Sequence, residues 1–195
     1  MTATKKYGVF GGSFDPIHLG HLHLINEILK LDLFEKLIVV PAGDPWQKSP
    51  RVSAQQRLEM AKLALAELPV IVSSVEVLRE GASYAIDTAR ELRNEFPNTE
   101  FTWIVGSDVI NSVGTWHSVG QLAQEVDFLV IKRPNSKVEK SQIPGEIRYS
   151  EIEIAALDIS ATEIRQALAE KKDVSKLIPA SVAGFIHSKG LYGAA

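Results

Sequence analysis

The chain has 195 residues, 45% of them hydrophobic and 23% charged, with a formal net charge of −3 and no cysteine. That length suits one domain with a sizeable core, and the slightly acidic balance argues against a general nucleic-acid binder, which carries a basic excess. The lack of cysteine excludes a disulfide scaffold, a thiolate zinc site and a cysteine nucleophile, while no apolar run reaches the roughly 18 residues of a membrane span.

No signal-peptide core precedes the first strand, so a cytoplasmic protein without membrane partners is expected. Tyr7-Gly8-Val9-Phe10 reads as a buried parallel strand. It leads into Gly11 to Leu22, GGSFDPIHLGHL, and then into a helical pattern on Leu22, Leu24, Ile25, Ile28 and Leu29. Gly11 and Gly12 let backbone approach a bulky ligand, and Asp15-Pro16 turns the chain. His18 and His21 are three apart, so at a helix start they project from one side. The helix start adds N–H groups and the positive dipole end, which favour an anion. Gly20 keeps the space between the histidines open. Together these make a phosphate site; a metal held by the histidines would want further ligands, and Asp15 is the only near candidate. His23 is expected to face solvent.

Leu37–Pro41, Val70–Val75, Phe101–Gly106 and Phe128–Lys132 read as further strands. Helical segments lie near 53–67, 83–95 and 115–125, two of them opening on Ser53 and Ser83 as N-caps. Strands alternating with helices imply an α/β fold with a doubly wound, mostly parallel (Rossmann-like) sheet, which binds ligands beyond the carboxyl ends of its strands. Residues 134–146 read as a surface loop, 147–154 as an added strand, and the stretch from about 160 as a short C-terminal helical region. One domain over 1–195 is expected, with a core at about 7–133 and the C-terminal part at about 147–192. Ser160-x-x-Glu163 is a capping-box pattern, so locally the stretch Ile159 to Arg165 needs no more than a capped helix with a surface arginine. Asp108 follows a strand at the ligand edge, where it serves either ribose hydroxyls or the N-cap of the next helix. Lys48 sits in a polar loop after the second strand. Tyr84 and Trp116 fit either a binding slot or the core, Trp103 is assigned to the core, and Arg57 is set aside as structural.

GGSFDPIHLGHL resembles the HxGH signature of the nucleotidyltransferases, and in its longer form most closely that of the bacterial nicotinate-nucleotide adenylyltransferases. Ile159 to Arg165, ISATEIR, is similar to that family's ISxTxIR motif, where the serine, the helix start and the arginine hold the triphosphate. Asp44 to Lys48, DPWQK, stands where many members have PPHK or PPHR and matches actinobacterial relatives; Lys48 keeps the cation and Gln47 replaces the histidine. Arg79 to Thr88 resembles R-x-G-x-S-Y-T-x-D-T, with Ala85 for the usual threonine; this stretch and a tryptophan matched by Trp116 cradle the pyridine ring and its carboxylate. Leu177-Ile178-Pro179 and Gly190-Leu191-Tyr192 resemble the family's ending, with Lys176 where tyrosine is usual. The likeness runs from about residue 7 to 192.

The resemblance implies adenylyl transfer from ATP to nicotinate mononucleotide in NAD biosynthesis. It assigns catalysis to His18 and His21. It assigns ATP and phosphate binding to Gly11, Gly12, Ser13, Phe14, Lys48, Asp108, Ser160 and Arg165. Nicotinate-nucleotide binding falls to Ser83, Tyr84, Thr88 and Trp116. Mg²⁺ would come with ATP, bridging triphosphate oxygens and keeping its waters, so no protein metal ligand is expected. The alternatives are an HxGH transferase for another acceptor, such as nicotinamide mononucleotide or phosphopantetheine, and a non-catalytic nucleotide-binding module. A homo-oligomer is compatible with the sequence.

Overall fold

The computed structural model describes residues 4–132 and 137–194. Six strands form one sheet: β1 (Lys5–Gly12), β2 (Lys36–Pro41), β3 (Val70–Val72), β4 (Thr99–Gly106), β5 (Val126–Lys132) and β6 (Tyr149–Glu153). Their order is β3-β2-β1-β4-β5-β6 and every pairing is parallel. The order reverses between β1 and β4, which makes the crevice at their carboxyl ends the expected ligand position of a doubly wound sheet.

Alternation along β1 divides the interior. Phe10 faces one layer, built with α1 (Leu19–Lys30), α2 (Ala54–Leu65), α7 (Ala161–Ala169) and α8 (Ala180–Ser188). Tyr7 and Val9 face the other, built with α4 (Ala85–Glu95) and α6 (Val119–Glu125). Ile25, Ile28, Leu92 and Leu122 are at most 1% exposed, and each such side chain contributes about 1.5–3 kcal/mol by leaving water. The short helices α3 (Val75–Leu78) and α5 (Ser107–Ile110) follow β3 and β4. The C-terminal region folds back: the Leu177 carbonyl accepts a hydrogen bond from Leu19 N, 2.9 Å, at the first turn of α1.

Most expected elements are present, with differences that have local causes. The strand expected over 70–75 ends at Val72, because Ser73 Oγ accepts from Val75 N and the chain turns into α3. Ser53 caps α2, its hydroxyl accepting from Gln56 N at 3.2 Å. Ser83 caps nothing; α4 begins one residue later, with Tyr84 at the N-cap. The segment near 115–125 is a 3-10 turn at Val113–Thr115, then α6, separated by Ser118 at a φ of 51°. Of the expected loop 134–146, residues 134–136 lie outside the described residues; the rest contains one 3-10 turn, Lys140–Gln142. No helix among the described residues is long and apolar enough to cross a membrane.

Candidate active site

Two cavities open at the carboxyl edge of the sheet, of about 340 and 620 Å³, and they share a wall. Phe10, Gly11, Gly12, Ser13, His21, Leu24 and Lys48 border both, so they are two lobes of one cleft. The larger is completed by Asp15, His18, the first turn of α7 and Arg165. The smaller is completed by Ser83, Tyr84, Trp103, Asp108, Trp116 and His117, among others.

In the larger lobe the chain leaves β1 through Phe14, which holds a φ of 49° with its ring only 2% exposed. His18 is the N-cap of α1 and His21 its third residue. The His18 N–H donates to His21 Nδ1 at 3.2 Å, and the two rings stack with centroids 3.6 Å apart and planes at 27°. An Nδ1 that accepts leaves Nε2 to carry that ring's proton. A Cβ on Gly20 would lie 3.0–3.1 Å from His18 ring atoms, so the glycine makes room for that imidazole. Ser160 caps α7, accepting from Glu163 N at 3.2 Å. Arg165 donates to the Asp15 carbonyl at 2.7 Å and to Thr162 Oγ1 at 3.1 Å, which pins a long cation over the lobe.

Both Asp15 carboxylate oxygens accept hydrogen bonds, one from Arg51 N and the other from the Tyr192 hydroxyl, both at 2.7 Å. Burial, then that bond to Asp15, raises the Tyr192 pKa, so this hydroxyl keeps its proton. Among the described residues no three His, Cys, Asp or Glu side chains converge on a metal position. His23 is only half-buried, and its Nε2 lies 2.6 Å from the Ala155 carbonyl rather than in open solvent.

The smaller lobe draws its parts from scattered elements. Ser83 Oγ accepts from both Gly43 N and Asp44 N at 3.0 Å, while Ser83 N donates to the Asp44 carbonyl at 2.8 Å. Tyr84 N donates to the Ala82 carbonyl at 3.1 Å, so the backbone N–H groups of Ser83 and Tyr84 are both engaged. The Tyr84 ring stacks on His117 at 4.3 Å. Trp116 stands edge-on to Phe128 at 6.3 Å and presents its remaining surface to the cleft. Asp108 lies in the first turn of α5, whose N-cap is Gly106; the capping alternative for Asp108 therefore falls away, and its exposed carboxylate borders the cleft. Trp103 is 5% exposed, a core residue whose edge reaches the lobe.

Thr88 requires a correction. It is fully buried and lines neither lobe. Its hydroxyl donates to Glu76 Oε1 at 2.7 Å and accepts from Arg79 at 3.0 Å. What reaches the cleft is Glu76, which motif reading missed. Burial raises the Glu76 pKa, opposed by hydrogen bonds from Thr88 and Ser83 and by the Arg79 charge. A lone acid in the otherwise apolar stretch Val75 to Leu78 was the available signal. His117 was missed too, although it directly follows Trp116. Every other residue assigned to ligands lines one lobe or both.

A family model described as cytidylyltransferase-like matches residues 9–167. A probable nicotinate-nucleotide adenylyltransferase of Moorella thermoacetica is 38% identical over 98% of this chain and 94% of its own. One from Thermus thermophilus is 37% identical over 96% of this chain and 99% of its own. Among solved structures, Plasmodium falciparum nicotinic acid mononucleotide adenylyltransferase complexed with NaAD shares the fold, with a TM-score of 0.82 at 24% identity over 98% of both chains.

Proposed function

Because the chain belongs to the nicotinate-nucleotide adenylyltransferases, within the cytidylyltransferase-like nucleotidyltransferases, we infer that its cleft holds ATP and nicotinate mononucleotide end to end. The enzyme transfers the adenylyl group of ATP to nicotinate mononucleotide, giving nicotinate adenine dinucleotide and pyrophosphate, in NAD biosynthesis. One observation carries the arrangement: a lobe bordered by cations and a lobe bordered by aromatic rings share His21, Lys48 and the glycines of β1 as a common wall.

The substrate's own phosphate is the nucleophile and is largely ionised near neutral pH. One of its oxygens bonds to the α-phosphorus as the bond from that phosphorus to the bridging oxygen breaks, and pyrophosphate leaves with the electron pair. No general base is required, so catalysis reduces to alignment and stabilisation of charge. His21, with its proton on Nε2, donates to the phosphate under attack. His18, Ser160 and the α7 start hold the triphosphate, while Lys48 and Arg165 offset charge on the departing pyrophosphate. Gly11, Gly12, Ser13 and Phe14 form the floor, and Asp108 accepts from ribose hydroxyls.

In the smaller lobe Trp116 and Tyr84 flank the pyridine ring. Its carboxylate is left to the N–H group of Ala85 at the start of α4, which borders the lobe, since those of Ser83 and Tyr84 are engaged. Mg²⁺ would accompany ATP and supply charge neutralisation on the triphosphate, with Lys48 and Arg165 bordering the lobe as the chain's own cations. Separation of products after incubating the protein with ATP, Mg²⁺ and nicotinate mononucleotide tests this reading. Equimolar dinucleotide and pyrophosphate are expected; hydrolysis of ATP alone, or no turnover, would refute it.

A further inference from the structure

Arg57 heads the fully buried side chains of the fold at 1% exposed, and the reaction above does not use it. It projects from α2 between two loops: Nη1 donates to the Ser13 carbonyl at 2.7 Å and Nη2 to the Gly43 carbonyl at 2.8 Å. Its Nε has no hydrogen-bond partner, and Arg57 forms no ion pair, among the described residues. The charges of Asp15 and Glu76 offset only part of the burial cost of this guanidinium, neither within ion-pair distance, and an apolar side chain of similar volume would pack at least as well. Core stability therefore does not account for it; the two carbonyls do.

Ser13 borders both lobes at the exit of β1. Gly43 is gripped from its other side by Ser83, whose Oγ accepts from its N–H at 3.0 Å, and a Cβ there would run into the Glu76 carbonyl. Ser83 in turn borders the acceptor lobe. A short path, Ser13 to Arg57 to Gly43 to Ser83, thus spans the cleft from beneath. The planar fork reaches the two carbonyls with separate nitrogens, whereas a lysine offers a single nitrogen as a point charge.

We propose that Arg57 is a positioning residue that sets the spacing between the triphosphate lobe and the acceptor lobe, and hence the line-up of the attacking phosphate with the α-phosphorus. The proposal rests on the adenylyl-transfer reading. Arg57→Lys separates geometry from charge, because it keeps the positive charge and loses the second contact. Displacement of reacting groups by about 1 Å costs on the order of 100-fold, so kcat should fall about 10- to 100-fold with both KM values changed less than about threefold. Amide exchange at Gly43 and Asp44, followed by mass spectrometry without substrates, should quicken. Ser83→Ala should lower kcat as well, and the double variant should lose less than the product of the single losses, since both act through Gly43.

Near wild-type kcat in a folded Arg57→Lys protein would overturn the proposal, as would a loss of kcat with unchanged exchange. If Arg57→Lys does not fold, Ser83→Ala decides alone: faster exchange at Gly43 and Asp44 with lowered kcat supports the path, and unchanged kcat overturns it. A wild-type protein inactive with nicotinate mononucleotide would sink the reading beneath, whereas the exchange measurement reports on the tie independently.

Discussion

The lobe proposed for the triphosphate and the lobe proposed for the acceptor are built by different means. The first is made of a few short runs, the strand exit and helix start at residues 10–24 and the second helix start at 156–165, with the Arg165 cation tied to the backbone of Asp15. The second is assembled from the loop after β2, the α3 turn, the start of α4 and the segment after α5, held by Ser83, Thr88 and stacked rings. Short runs at helix starts suit charge stabilisation, where donors must already be in place when charge develops. Scattered side chains suit recognition, because each can change without disturbing the others. The proposed division gives turnover to the first lobe and choice of acceptor to the second.

Substitutions can break this division. The largest effect is expected for His21→Ala, with kcat lowered about 100-fold or more and the fold intact, as when one preorganised donor is lost; steady-state kinetics and circular dichroism check it, and unchanged kcat would remove the role. Arg165→Ala removes a charge-assisted contact worth about 1.5–3 kcal/mol, so kcat/KM for ATP should fall about 10- to 100-fold with the acceptor KM little altered. Trp116→Ala should do the reverse, raising the acceptor KM about tenfold through lost ring contact while ATP affinity holds. If both variants shift both substrates alike, the lobes are not separate in function.

A smaller effect sharpens the acceptor side. Burial holds the Glu76 pKa above its ordinary 4.5, so between the two values the folded protein keeps a proton the unfolded chain has lost. The stability from this group is complete below about pH 4.5 and is lost as pH rises through the raised value. Glu76→Gln should flatten the fall in Tm over that window, and parallel curves for the two proteins would show that Glu76 is not its source. The smallest effect is expected far from the cleft: breaking the exposed Arg148–Asp127 pair, 2.6 Å, by Asp127→Asn should change stability by about 0–1 kcal/mol and leave kcat alone.

The same contrast governs how much was legible in the sequence. GGSFDPIHLGHL and ISATEIR are runs whose function lies in adjacent backbone and short spacings, and their residues border the larger lobe. The six parallel strands follow apolar runs, and the early end of β3 at Val72 depends on one serine turn. The acceptor lobe was less legible because its parts are single side chains whose partners lie outside the motif that names them. Ser83 looks like a cap until Gly43, 40 residues away, is brought to its hydroxyl. Thr88 fits the family stretch, yet its hydroxyl faces Glu76 in the interior. Arg57 carries no motif that marks it, and its two carbonyl partners appear only in the folded chain.

The central claim, one cleft with a phosphate lobe for chemistry and an aromatic lobe for the acceptor, is tested most directly by acceptor choice. Pyrophosphate release from ATP and Mg²⁺ is measured with nicotinate mononucleotide, nicotinamide mononucleotide and phosphopantetheine offered separately. The predicted result is release with the nicotinate form, strongly preferred over the amide, and none with phosphopantetheine. Release only with phosphopantetheine, or with none of the three, would contradict it.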